Sequence, residues 1–346
     1  LTFIVVVVAL LCGYLFMKIG ILLPWLFGPI AGAAGVSKIT HSNIRWPKFL
    51  ADAGLYILGM QIGSTFTMTV LEDIRYDLFN IVWLNIVIIA AAILLSLIYR
   101  KITGCTYETA VLSAVPDALS QMIIMAEENK RADLLAVTLS QTSRLLFVVM
   151  IVPFIASLSS NGQSGAVQHA ESLFAVLSPE TIIMIIESMV IVSLVLKHIH
   201  FPVPQLLGPI LVVTCWNLIT DLTFSIPYAL ITLAQLLFGI RIGLQLVELS
   251  SSLSIRLFVA IAIQNTLLIA MTFTLTLLMA HDNFNNLFLS LAPGGMAQIV
   301  IVALETGNNI AMISSYHIFR IFFILLVAAP LIQYLLKRFD NSSEIR

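Results

Sequence analysis

Twenty-two residues in succession, from Leu78 to Tyr99, carry no charged side chain. At 1.5 Å per residue a helix of that length covers about 33 Å, enough to cross the hydrocarbon core of a bilayer. Similar runs recur through the 346 residues, of which 60% are hydrophobic. Charged residues make up only 10%, against roughly 25% in soluble domains. A soluble protein of this size needs a polar skin that these residues cannot supply. With a mean hydropathy of +1.03, the chain reads as an all-α polytopic membrane protein whose first partner is the lipid bilayer. A cytosolic enzyme, a collagen, a disordered tail and a cystine scaffold are excluded.

Further classes fall away on charge and motif. The net charge is −1 and no basic stretch exceeds two residues, so nucleic acid is not an expected partner. Cys12, Cys105 and Cys215 stand singly and read as small buried thiols, not as a zinc knuckle or a redox dithiol. The six histidines are scattered, and no HExxH, P-loop or arguable Ser/His/Asp arrangement occurs. No metal, cofactor or enzymatic activity is therefore expected. Residues 1–17 lack a charged n-region and an Ala-x-Ala site, which argues against a signal peptide; the initiator and a short leader are expected to precede Leu1.

Charge-free intervals place twelve apolar segments. Six are Leu1–Met17, Ile19–Ser37, Phe49–Val70, the run between Asp77 and Arg100, Thr106–Ala126 and Leu134–Leu158. After the polar stretch from Ser159 come Pro179–Leu196, Pro204–Ile219, Ile226–Val247, Leu257–Ala280, Phe284–Leu304 and Ile310–Leu336. The expected organisation is a first membrane repeat over 1–158, a linker over 159–178 and a second repeat over 179–346.

An internal duplication underlies this pattern. Pro24-Trp25-Leu26-Phe27-Gly28-Pro29-Ile30 matches Pro204-Gln205-Leu206-Leu207-Gly208-Pro209-Ile210, and Gly59-Met60-Gln61-Ile62-Gly63 matches Gly239-Ile240-Arg241-Ile242-Gly243, both 180 residues apart. Pro116-Asp117-Ala118-Leu119-Ser120-Gln121 matches Pro293-Gly294-Gly295-Met296-Ala297-Gln298 at 177, and Gln141-x-x-Arg144 matches His317-x-x-Arg320 at 176. Four motifs in one order with a slowly drifting offset mark two tandem homologous halves.

Orientation follows from the basic residues, which favour the cytoplasmic side. If the Pro116 and Pro293 segments enter and leave on one face, Arg100 and Lys101 lie inside together with Lys38, Arg45, Lys48, Lys130, Arg131, Lys197, Arg256, Lys337 and Arg338. Only Lys18 and Arg75 then fall outside, whereas twelve crossings would strand four more. The expected topology is an inverted repeat of five crossings per half plus one broken or re-entrant segment, with both termini cytoplasmic.

Candidate site residues sit in the duplicated motifs. Pro24, Gly28, Pro29, Pro204, Gly208 and Pro209 predict kinked or interrupted helices, read either as packing kinks with small-residue contacts or as half of a gate. Pro116, Asp117, Ser120, Gln121, Pro293, Gly294, Gly295 and Gln298 form irregular tips at membrane depth, tolerable only under cover of protein or a water-filled cavity. Paired interruptions of this kind point to a transporter site near the midplane, with structural hairpin turns as the alternative. Gln121 is expected near Gln298. Arg144, Arg241 and Arg320 lie within apolar runs, Gln61 is the repeat mate of Arg241, and His317 shares a helical face with Arg320. Such arginines pair with a carboxylate, contact an anionic solute or snorkel to the interface. Asp52, Asp117, Glu187 and Glu305 are the candidate carboxylates.

On Leu23-Pro24-Trp25-Leu26-Phe27-Gly28-Pro29, Pro293-Gly294-Gly295-Met296, Arg144 and Arg320, the chain resembles the bacterial AbrB-type membrane protein family over nearly its whole length. Pro116-Asp117-Ala118 departs from the family's usual Pro-Gly-Gly. The resemblance implies a duplicated multi-pass protein of the bacterial inner membrane, of a kind often labelled ammonia monooxygenase or regulator. Nothing here corresponds to the small soluble DNA-binding proteins that share the name, and no metal-ligand cluster supports the oxygenase label. Topology is similar to inverted-repeat transporters of the sodium/proton antiporter and bile-acid symporter type. The expected function is a secondary transporter or permease for a small solute, with an anionic solute, coupling to protons or sodium, and a homo-oligomer all left open. The alternative is a membrane-embedded regulator of gene expression; a membrane oxygenase ranks third.

Overall fold

A computed structural model describes residues 2–41, 44–129, 131–158, 171–280 and 283–343. It is helical throughout, with one isolated bridge between Ser172 and Ser225. The first half contributes α1 (Thr2–Ile19), α2 (Pro24–Thr40), α3 (Lys48–Ser64), α4 (Met68–Thr103), α5 (Tyr107–Ala114), α6 (Leu119–Glu128) and α7 (Leu134–Leu158). A single turn, α8 (Leu173–Val176), precedes the second series: α9 (Pro179–His198), α10 (Pro204–Thr220), α11 (Tyr228–Ser252), α12 (Ile255–Met279), α13 (Phe284–Leu291), α14 (Met296–Glu305) and α15 (Ile310–Phe323). The chain continues from α15 through a π turn, Ile324–Ala328, into α16 (Ala329–Ser343). Helices α1 to α7 thus match α9 to α15 one for one.

Seven of these helices are long and apolar enough to cross a membrane, and they turn large apolar side chains such as Phe3, Leu94, Ile191 and Leu278 outward. That pattern suits lipid as the surrounding solvent, and the chain is a polytopic membrane protein. Helices α5 and α13 have 8 residues each, and α6 and α14 have 10. At about 12 to 15 Å, each reaches only half-way through a bilayer core.

The residues group into two compact units, each drawing on both halves of the sequence. One comprises Leu1–Tyr76, Val152–Ser251 and Ile299–Met312. Its helices meet through the duplicated glycines, which let backbones approach closely. A Cβ on Gly28 would overlap the backbone of Gly13 in α1, and one on Gly208 would overlap Ser193 in α9. The halves also exchange partners: Gly59 and Gly63 of α3 lie against the Leu206 and Ile210 carbonyls of α10, while Gly239 and Gly243 of α11 lie against the Leu26 and Ile30 carbonyls of α2. Asn217 of α10 caps the end of α3, donating from Nδ2 to the carbonyls of Gly63, Ser64 and Phe66 at 3.2–3.3 Å.

The other unit comprises Asp77–Ile151, Ser252–Gln298 and Ile313–Arg346. It holds the two broken elements, α5–α6 and α13–α14 up to Gln298, with α7 and α15 against them. Its apolar core joins Val111, Leu112, Val115 and Met122 to Ile324, Ala328 and Ile332.

Two sequence expectations need correction. Pro24 and Pro204 do not interrupt a helix but start one, each following a residue in the left-handed region, Leu23 at φ 53° and Val203 at φ 48°. Proline suits the first turn, where its missing amide is not needed. Pro29 and Pro209 lie inside continuous helices, and Gly28 and Gly208 make the small-residue helix contacts that were the alternative reading of the motif. Second, α4 runs unbroken for 36 residues through Glu72, Asp73, Arg75 and Asp77, where the sequence suggested a boundary. Charges end the apolar run without ending the backbone hydrogen bonding, so the helix extends about 54 Å. The last apolar segment also contains the π turn ahead of Pro330, a device that accommodates a missing amide within a helix. Of the expected linker over 159–178, residues 159–170 lie outside the described residues.

Candidate functional site

Every helix ends with carbonyls that have no partner within it. Where α5 stops at Ala114 and the chain turns through Pro116, these carbonyls lie buried in protein. They are taken up by α7. Arg144 donates from Nη2 to Ser113 O at 2.5 Å and from Nη1 to Val115 O at 2.7 Å, while Gln141 Nε2 donates to Leu112 O at 2.7 Å and Val115 O at 3.0 Å. The second half repeats the arrangement. Arg320 of α15 donates from Nη2 to Ser290 O at 2.8 Å and from Nη1 to Ala292 O at 2.9 Å, and His317 Nε2 lies 3.0 Å from Leu289 O.

Each arginine is then tied to the opposite half. Arg144 Nε donates to Asn265 Oδ1 of α12 at 3.2 Å, and Arg320 Nε donates to Asn85 Oδ1 of α4 at 2.7 Å. The fork shape of guanidinium suits two carbonyls and a side-chain oxygen at once, and the partial negative charge of a helix C-terminus stabilises the cation there. Arg144 is 2% exposed and Arg320 0%, so neither snorkels to an interface.

Symmetry fails at the tips. Asp117, in the left-handed region at φ 58°, reaches from the first half to Arg320 of the second. Its Oδ2 accepts from Arg320 Nη1 at 2.7 Å and lies 3.7 Å from His317 Nδ1. Its repeat mate Gly294 has no side chain, and a Cβ there would run into Val148. Arg144 therefore has no carboxylate within ion-pair distance among the described residues; Gln141 Oε1 accepts from its Nη1 instead, at 3.3 Å. Of the two buried guanidiniums, only that of Arg320 contacts a buried carboxylate among the described residues. Asp117 Oδ1 and His317 Nδ1 are both buried without a hydrogen-bond partner.

The structure brings Asp117, His317 and Arg320 into direct contact and sets Pro116, Pro293, Gly294, Gly295, Arg144 and Gln298 in the same unit. Ser120 is exposed and Gln121 half-buried; no hydrogen bond joins Gln121 to Gln298 among the described residues. Gln61 and Arg241 belong to the other unit. Of the remaining candidate carboxylates, Glu187 is exposed and Glu305 accepts from Gln235 at 2.7 Å. Among the described residues, no three His, Cys, Asp or Glu side chains gather as metal ligands. Sequence reasoning missed Asn85 and Asn265. Their signal was legible, since two asparagines 180 residues apart interrupt matching apolar runs.

Duplicated halves, two helices broken at equivalent places and a buried arginine at each break define a repeat-built helical membrane protein. The chain belongs to the AbrB family: the family model described as transition state regulatory protein AbrB matches residues 25–336. It is 22% identical to YhjN of Bacillus subtilis (strain 168) over 346 residues, covering 92% of this chain and 88% of that protein. It is 22% identical to a protein of Escherichia coli (strain K12) named as a regulator, AbrB, over 334 residues, covering 95% and 94%. No solved structure matches.

Proposed function

We propose that the chain is a secondary transporter or permease for a small solute, working at the paired broken helices of the second unit. One observation carries the reading: α5–α6 and α13–α14 stop at repeat-equivalent places inside the unit, each held by a buried arginine. Half-helices meeting in a membrane protein provide freed backbone groups and helix ends for a solute or ion. The excess of guanidinium over carboxylate there favours an anionic solute. In this reading the halves form an inverted repeat of five crossings each, with both termini cytoplasmic, in the inner membrane of a bacterium. Reciprocal packing of α3 on α10 and α11 on α2 supports the two-fold relation.

The test is a thermal-shift screen of detergent-purified protein against small anions, amines and monovalent cations. Ligand that binds only the folded state raises its apparent stability by mass action. Saturable stabilisation by one class, reduced in R144Q, supports transport. A flat response across all three classes overturns it.

A second reading, a membrane-embedded regulator of gene expression, is favoured by the description of the family model and by the name of the Escherichia coli relative. It predicts that deleting the gene changes transcript levels and that re-expressing the wild-type gene restores them.

A further inference from the structure

The tautomer of His317 is fixed by its surroundings. A backbone carbonyl can only accept, so Nε2, 3.0 Å from Leu289 O, carries the ring proton. In a neutral ring Nδ1 is then a bare lone pair. The atom facing it is Asp117 Oδ2 at 3.7 Å, another acceptor. Two acceptors thus face each other in a buried space, and Asp117 Oδ1 has no protein partner among the described residues. Unmet polar groups at such depth cost stability, and one proton on Nδ1 satisfies the pair. It converts the facing lone pairs into an N–H aimed at a carboxylate, and a closure of about 0.8 Å brings the pair to hydrogen-bond length.

The geometry points to a single proton-binding site shared by His317 and Asp117, with Arg320 holding the carboxylate in place. Ionisable groups around it are few. Arg320 touches Asp117 directly, and Arg144 bears on Asp117 through space. Tyr316, one residue before His317, donates to Asp77 of α4 at 2.6 Å. Neither α13 nor the Pro293–Gln298 tip brings an ionisable side chain. A sodium ion fits poorly, because it needs several oxygens where this space offers one carboxylate beside an imidazole and a guanidinium.

The repeat-equivalent site, Gln141 of the first half with Gly294 of the second, supplies the internal control. Gln141 stands where His317 stands and donates to Leu112 O at 2.7 Å, as His317 donates to Leu289 O. Gly294 stands where Asp117 stands. Neither side chain can take up a proton, so the chain has one site of this kind and not two. In a transporter this proton is the coupling ion, one per cycle. That consequence rests on the transport reading; the proton site itself does not.

The experiment uses full-length protein in lipid nanodiscs, labelled with 15N-histidine. H317Q assigns the signal among the six histidines, and Gln141 shows that glutamine can make the same carbonyl bond. At alkaline pH the His317 ring is expected to show one protonated and one bare nitrogen, and at acid pH two protonated nitrogens. Wild type is expected to take up one more proton per chain than H317Q over that range. At the pH where half the wild-type rings carry the second proton, D117N is expected to carry it at least fivefold less. A His317 ring that keeps a bare nitrogen throughout, in protein with native helicity, overturns the proposal. So does a D117N spectrum in which all six histidine signals titrate as in wild type, a comparison that needs no assignment and so does not depend on whether H317Q folds. Failure of the solute screen leaves these outcomes untouched, and their failure leaves the screen untouched.

Discussion

Removing Arg320 and removing Asp117 break the same 2.7 Å contact, yet they should differ widely in effect. R320Q strands a buried carboxylate and frees the carbonyls of Ser290 and Ala292, which Arg320 now binds. Breaking a buried pair from one side costs about 3–5 kcal/mol, and the freed carbonyls add to that. D117N leaves an oxygen facing Arg320 Nη1 and keeps every carbonyl bond. The first half shows that such a guanidinium is tolerated, because Arg144 persists on helix-end carbonyls, Gln141 and Asn265 alone. Exchange of a charge-assisted bond for a neutral one should cost about 1–2 kcal/mol. R144Q strands no carboxylate and should fall between the two.

Equilibrium unfolding in mixed micelles of dodecylmaltoside and SDS, followed by tryptophan fluorescence, measures the differences. The double variant D117N/R320Q closes a thermodynamic cycle. It should be more stable than the sum of the single effects predicts, by about 2 kcal/mol, because R320Q no longer leaves a charge behind. If R320Q is no more damaging than D117N, or the coupling is under about 0.5 kcal/mol, the contact is not the buried ion pair described above.

Four further outcomes follow. N85A and N265A should each destabilise by about 1–3 kcal/mol and by similar amounts, since each removes the acceptor from a buried guanidinium Nε; mixed-micelle unfolding compares them. Gly59→Leu and Gly243→Leu should each cost about 1–3 kcal/mol or more by forcing α3 from α10 and α11 from α2, whereas Gly35→Ala, with open space around it, should be neutral or stabilise by up to about 1 kcal/mol. Cysteines introduced at Ser164 and Ser342 should label from opposite faces of the membrane, and labelling from one face refutes the inverted topology. R241Q should leave stability within about 0.5 kcal/mol of wild type, because Arg241 has no hydrogen-bond or ion-pair partner among the described residues; a thermal melt is sufficient.

Much of this architecture was legible in the sequence. Charge-free runs marked the membrane class, the offset motifs marked the duplication, and proline with small residues at 116 and 293 marked the broken elements. Those features depend on local chemistry, which a linear text carries. Hydropathy, however, reports the solvent around a segment and not the continuity of its backbone, so the passage of α4 through Glu72 to Asp77 was hidden. Proline likewise signals a missing amide without saying whether that amide was needed; at Pro24 and Pro204 it was not. The choice of partners was least legible. Nothing near Asp117 in sequence indicates that it answers Arg320 across the repeat, and Gln121 and Gln298 share a register without sharing a bond.

What is duplicated and what is not separates two tasks at this site. The repeated part comprises the two arginines, the two asparagines and the carbonyls at the ends of α5 and α13; the arginine–carbonyl distances pair as 2.5 with 2.8 Å and 2.7 with 2.9 Å, and the arginine–asparagine distances as 3.2 with 2.7 Å. Those groups hold the broken helices at membrane depth, where an unmet backbone group is expensive. The part that breaks the repeat is His317 against Gln141 and Asp117 against Gly294. There, unlike in the carbonyl clamp, donors and acceptors do not close: Oδ1 and Nδ1 stay without partners. If those side chains served only to secure the tip, the repeat-equivalent positions Gln141 and Gly294 show that a glutamine and a glycine are sufficient for that. The residues that depart from the duplicated plan therefore carry the proton site, and the residues that obey it hold the broken helices around it.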